Sequence, residues 1–336
     1  MLSGLTRDER YKQSIQGLHA VIATLQKAHQ FLQLIGSTAI AKSPYLRRLQ
    51  EVSAVLANPD LEKLREVDIY KSLPISILAK YDHLLKNELS TQMETILTFI
   101  SEVDVFISVS DVSRERGFHY AMALPAQSNQ LNVTGLRHPA IINGVGNELQ
   151  LTRSKNVLFL TGANMAGKST LMKSIGINLY LGQMGFPVAA DEMEFSVREG
   201  LYSSINVADN INLGYSHFYA EVIRVKQAAE AAASGQRLLL MFDELFKGTN
   251  VKDAFDGTLA VTEAFAEYEE CLFIVSTHII EVGEALKNTS NIKFGYMPTV
   301  MDGMRPHYTY QLTAGITKDR QGMLIIENEG ILELLR

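Results

Sequence analysis

Between about Tyr11 and Ser113 the apolar residues recur at intervals of three and four, as in Ile15, Leu18, Ile22 and Leu25, and again in Leu89, Met93, Ile96, Phe99 and Ile100. That spacing gathers them on one face of a helix, so this stretch, rich in Leu, Ile, Gln, Glu, Lys and Ala, predicts a string of helices. Breaks are predicted near Gly36-Ser37, Ser43-Pro44, Asn58-Pro59 and Leu73-Pro74, where a proline pushes the residue before it out of the helical region. Ser90 to about Arg116 holds neither proline nor glycine and predicts one helix of roughly 40 Å at ~1.5 Å per residue, a rod suited to act as a lever.

After Pro125 the pattern changes. Residues 126–134 are polar, and short β-rich apolar runs then alternate with helical patterns, which places a domain boundary there and gives domains of residues 1–125 and 126–336. Three runs predict buried parallel strands: Asn156 to Thr161, Arg237 to Phe242 and Cys271 to Ser276. Each is continuously apolar rather than alternating, as happens when helices cover both faces of a sheet. Strands separated by helix-length segments argue for a doubly wound α/β sheet. The least charged stretch, Ser174 to Ala190, is broken by Asn178, Gln183 and Pro187. It is too short to span a bilayer and predicts a buried helix ending in a turn.

Composition narrows the classes. A chain of 336 residues, 46% hydrophobic and 20% charged, predicts folded structure throughout, in two packed units or one large unit with an appendage. The net charge of -6 argues against a chain that clings to polyanions by bulk charge, so nucleic-acid contact would need a local basic patch. The single cysteine, Cys271, sits in an apolar run and excludes a disulfide framework. No secretory signal or membrane span is expected, since Met1 to Arg10 lacks a basic start followed by an apolar stretch. A cytoplasmic protein is the expectation.

Four elements carry chemistry. Gly162, Ala163, Asn164, Met165, Ala166, Gly167, Lys168 and Ser169 fill the eight-position phosphate-loop pattern, followed by Thr170, between a predicted strand and a predicted helix. Glycines let backbone N–H groups wrap phosphate oxygens, the helix start adds partial positive charge, Lys168 reaches the outer phosphates and Ser169 offers a hydroxyl to Mg²⁺. Asp243 and Glu244 end the second apolar run, where open α/β sheets bind ligands. They suit an Mg²⁺ ligand and a general base for water attacking ATP. His278, after Ser276-Thr277, ends the third run and suits a γ-phosphate contact. Ser216 to Glu221, taken alone, reads as a helix cap.

Together and in this order, these elements resemble the ATPase domain of the MutS family of mismatch-repair proteins, whose phosphate loop reads Gly-Pro-Asn-Met-Gly-Gly-Lys-Ser-Thr. The Asn164-Met165 pair is the specific part of that likeness, and Leu136-Arg-His-Pro139 is similar to the family's Arg-His-Pro entry. Asp243 to Thr249, with Asp256-Gly257 beyond, resembles the family's Asp-Glu-x-Gly-Arg-Gly-Thr and following Asp-Gly. The stretch from Ser216 to Glu221 looks like its Ser-Thr-Phe-Met-x-Glu signature. The resemblance implies an ABC-like ATPase domain with a mixed, mostly parallel sheet, preceded by an all-helical core and lever. It also implies a homodimer through the ATPase domains in which Ser216 acts in trans on the partner's nucleotide, and DNA as a partner. Residues 1–125 are short for the family's clamp, and no mismatch-reading domain is expected. Gly144 lies where the family's adenine-stacking aromatic would fall, with Asn147 near a family asparagine. A different reading remains open: a nucleotide-driven switch whose helical half grips a protein rather than DNA.

Overall fold

The helical pattern of the first part of the chain becomes α1 (Leu2–Gly36), α2 (Leu46–Leu56), α3 (Pro59–Arg65), α4 (Ile75–His83) and α5 (Ser90–Arg116). This is seen in a computed structural model that describes residues 2–36, 43–68, 74–163, 165–205, 217–302, 305–317 and 334. The chain divides into two units, Met1–Ser110 and Asp111–Arg336. The division falls inside α5, and the change of character at Pro125 lies within the second unit.

In the first unit the break at Asn58-Pro59 is a helix start. The Asn58 side chain accepts hydrogen bonds from the backbone N–H of Asp60 (2.9 Å) and Leu61 (3.4 Å), and Pro59 opens α3 where no N–H is needed. Asn58→Ala is expected to cost about 1 kcal/mol of stability and Asn58→Gly only a few tenths, read from urea unfolding of the full chain followed by circular dichroism. Equal stability of all three would deny the cap its role. α4 continues into a π-helical turn at Leu84–Glu88 before α5 begins. Ile22, Leu25, Leu61, Leu64, Ile96 and Phe99 meet in the core of this unit, bringing together apolar faces from α1, α3 and α5.

The second unit is mixed α and β. Its elements are β1 (Met122–Leu124), β2 (Leu131–Leu136), β3 (Asn147–Leu151), β4 (Val157–Thr161), α6 (Lys168–Gln183), β5 (Glu192–Ser196) and β6 (Gly200–Ser204). Then come α7 (His217–Ala233), β7 (Leu238–Asp243), α8 (Val251–Ala266), β8 (Leu272–Ser276), α9 (Ile280–Leu286), β9 (Ile292–Tyr296), β10 (Thr299–Asp302), β11 (Arg305–Tyr308) and β12 (Thr313–Ala314). Six strands form one sheet in the order β12-β9-β4-β8-β7-β6. Five of these run parallel and β12 is antiparallel to β9. A second sheet has the order β1-β5-β2-β3, and β10 and β11 form a separate antiparallel pair.

Alternate residues of the parallel strands feed two cores. Leu158, Leu160, Leu239, Met241, Leu272 and Ile274 pack with α6 and with β2, β3 and β5. Val157, Phe159, Leu240, Phe242, Phe273 and Val275 pack with α7, α8 and α9. Strands buried on both faces explain the continuous apolar runs, each large side chain contributing about 1.5–3 kcal/mol by leaving water. Among the described residues no helix is long and apolar enough to cross a membrane.

Candidate functional site

β4, β8 and β7 lie side by side and point the same way, so their carboxyl ends share one edge of the sheet. The chain leaves β4 at Gly162 (φ 141°), where an added Cβ would stand 3.2 Å from the Met297 carbonyl oxygen. It re-enters a helix at Gly167 (φ 104°), which caps α6 in the left-handed region. Both positions disfavour a side chain, by close approach and by backbone angle alike. Between them Met165 also takes a positive φ (70°) and stands exposed, while Ala166 is buried. Asn164 lies outside the described residues, and Thr170 sits exposed on the first turn of α6.

Lys168 folds back over this loop. Its ammonium donates to the carbonyl oxygens of Gly162 (2.8 Å) and Ala163 (3.1 Å), and burial pushes its pKa below the usual lysine range against the opposing pull of Glu244 and Asp243. The Ser169 hydroxyl donates to Asp243 Oδ2 at 2.5 Å. The other oxygen, Oδ1, accepts from the Ser276 hydroxyl on the neighbouring strand, because the parallel register sets Asp243 opposite Ser276. Ser276 is thus a site residue beyond those expected from the sequence, found through the pairing of β7 with β8.

Glu244 turns away from the strand with φ 56°, and Phe246 repeats the left-handed angle at φ 62°. Such angles are rare for bulky residues and persist only where surroundings impose them. Here the Glu244 N–H donates to the Ser276 carbonyl (2.9 Å) and the Phe246 N–H donates to the buried carboxylate of Glu221 on α7 (2.9 Å). Glu221, from the segment expected to face a partner, therefore clamps the loop after the acid pair in its own chain. His278 Nδ1 stands 3.7 Å from Glu244 Oε1, beyond hydrogen-bond length but within ion-pair reach. That imidazole is the main cause holding Glu244 below the usual carboxylate range, helped by Lys168 and Lys247 and opposed by burial. Ser216 lies outside the described residues.

A cavity of about 590 Å³ adjoins the loop, lined by His138, Ile141, Val145, Met165, Tyr310 and others, a size ordinary for small-ligand sites. A hydroxyl and a carboxylate oxygen converging at Ser169 and Asp243 are the hard oxygen donors that Mg²⁺ takes. Among the described residues no group of three or more His, Cys, Asp or Glu could cage a metal.

The family model described as MutS domain V matches residues 158–333. The chain is similar to the DNA mismatch repair protein MutS of Petrotoga mobilis, 30% identical over 243 residues, which is 70% of this chain and 28% of that protein. It is 27% identical to the MutS of Halalkalibacterium halodurans over 245 residues, 71% of this chain and 28% of the relative. With the MutS of Pseudothermotoga lettingae it shares 27% identity over 290 residues, 84% of this chain and 33% of the relative. The chain thus spans a third or less of the length of these relatives. The matched span holds the loop from Gly162 to Ser169 and the acid pair Asp243-Glu244, and the chain belongs to the MutS family.

Proposed function

We propose that the chain is an Mg²⁺-dependent ATP hydrolase that uses nucleotide-driven closure of a homodimer, through its ATPase domains, to act on DNA in mismatch repair or a related transaction in the cytoplasm. One observation carries this reading: Lys168, Ser169, Asp243, Glu244 and His278 meet at the adjoining carboxyl ends of β4, β7 and β8. The backbone N–H groups from Gly162 to Thr170 bind phosphate oxygens and Lys168 binds the outer phosphates. Ser169 and Asp243 would hold Mg²⁺, which when bound neutralises phosphate charge. Glu244 takes a proton from the attacking water onto a carboxylate oxygen, and His278 beside it contacts the γ-phosphate. Ser216 reaches the partner's nucleotide.

Steady-state ATP turnover, with and without duplex, mismatched and branched DNA at low and moderate salt, tests the reading. Stimulation by DNA that fades as salt rises is expected, since each neutralised phosphate steepens the salt dependence. Absence of turnover under all conditions would sink it. A second reading, a switch whose helical unit binds a protein, is favoured by the exposed apolar side chains of Leu97, Val105, Phe106 and Ile107 on α5. Turnover indifferent to every DNA would select it.

A further inference from the structure

Asp243 ends β7 with its two carboxylate oxygens committed to different neighbours. Oδ2 accepts from the Ser169 hydroxyl at 2.5 Å, on the side of the phosphate loop, and Oδ1 accepts from the Ser276 hydroxyl. Ser276 is fully buried at the end of β8. It lies between two paired strands, opposite Asp243 on β7 and opposite Leu160 on β4. Its carbonyl oxygen accepts from the Glu244 N–H (2.9 Å), and the next N–H, that of Thr277, donates to the Leu160 carbonyl (3.1 Å). A hydroxyl on so firmly held a backbone has little room to follow a moving partner. The Asp243 carboxylate therefore cannot turn without breaking its bond to Ser276.

A carboxylate can give a cation one oxygen or both, and ions differ in which they accept. Mg²⁺ demands near-octahedral geometry at about 2.0–2.1 Å, and the two oxygens of one carboxylate lie too close together to span the right angle between neighbouring octahedral positions. Ca²⁺ is larger, takes about six to eight oxygens in flexible geometry, and accepts carboxylates in either mode. With Oδ1 engaged by Ser276, Asp243 has only Oδ2 to give beside the Ser169 hydroxyl. That leaves open the mode Mg²⁺ needs and closes the two-oxygen mode that Ca²⁺ can use. A hydroxyl that did no more than satisfy a carboxylate oxygen would favour neither ion.

We infer that Ser276 is a positioning residue that leaves Asp243 one oxygen for an ion and thereby biases the site toward Mg²⁺ over Ca²⁺. This rests on the phosphate-loop reading proposed above, in which Ser169 and Asp243 hold the ion. The test follows binding of an ATP analogue with a non-hydrolysable imido bridge to the full chain by calorimetry as Mg²⁺ or Ca²⁺ is varied. It yields the half-saturating concentration of each ion without any turnover. Ser276→Ala is expected to raise that concentration about 3- to 10-fold for Mg²⁺ and to leave it unchanged or lower for Ca²⁺, so the preference narrows. Ser276→Cys, close in volume but a weak donor, should match Ser276→Ala, whereas Ser276→Thr, which keeps the hydroxyl, should keep the wild-type preference. Both ions weakened by the same factor, together with a lower urea midpoint in the absence of nucleotide, would make the hydroxyl a prop for the strand end and overturn the inference. Unchanged affinities for both ions in Ser276→Ala would also overturn it, and in either case the loop reading stands. Analogue binding that neither ion alters in the wild type would overturn it too, and equal binding by Lys168→Ala would remove the loop reading with it.

Discussion

Glu244→Gln is expected to lower ATP turnover by about 10²–10⁴ while leaving nucleotide binding nearly intact, because the amide keeps the size of the side chain and one accepting oxygen but cannot take a proton from water. The backbone that presents residue 244 should survive the change, since its left-handed turn is held by the N–H bond to Ser276 and by Glu221 behind Phe246 rather than by the carboxylate. In the variant, ATP should trap a closed dimer that sedimentation can detect. Wild-type turnover in Glu244→Gln would strip the residue of the base role. The pH profile adds a second readout. His278, first among the causes, holds Glu244 below the ordinary carboxylate value, so the base stays ionised into mildly acid solution. The sign follows for stability too: a depressed carboxylate contributes stability above its unfolded value and loses it as pH falls through the folded one. His278→Ala should therefore move the acid limb of turnover to higher pH. An acid limb that stays put would uncouple the two residues.

What could be read in the sequence was what burial writes plainly. Residues 157–160, 238–242 and 271–275 are apolar at every position because β4, β7 and β8 are buried on both faces, and α5 covers the proline-free stretch from Ser90 to Arg116. β2 hid inside a polar segment because only one face is buried. Leu131, Val133 and Leu136 point inward, and a register shift between Val133 and Leu136 breaks the alternation that would have marked a strand. β1 is too short and too exposed to leave a pattern.

The same logic divides the site. Lys168, Ser169, Asp243 and Glu244 stand in local motifs whose spacing is itself the signal. Ser276 reaches Asp243 through the pairing of two strands, and neither strand's own residues encode which neighbour it takes. The left-handed angles at Glu244 and Phe246 leave no mark because neither residue type announces them, unlike a glycine. Tyr310 is brought to the loop from far along the chain by the bonds of Asn147, a contact that periodicity has no means to express.

Phe273→Ala is expected to destabilise the second unit by about 3–5 kcal/mol, the loss of transfer energy plus the cavity left behind. Phe273 is fully buried in β8. Its ring stacks on Phe265 of α8 with centroids 4.9 Å apart, and Phe265 stacks in turn on Phe242 at 5.5 Å. Phe242 directly precedes Asp243, and Phe273 lies three residues before Ser276 on the adjoining strand. The aromatic column therefore fixes the two strand ends whose register places the Ser276 hydroxyl on the Asp243 carboxylate. Emptying it should lower the urea midpoint and also the turnover of the molecules that remain folded. Phe273→Leu, which fills more of the space, should cost clearly less on both counts. A Phe273→Ala protein destabilised as expected but turning over ATP at the wild-type rate would show that the loop around Glu244, clamped by Glu221, holds the acid pair without help from the core. A loss below about 1 kcal/mol would mean that α8 collapses into the space, and the strand register should then be unaltered as well.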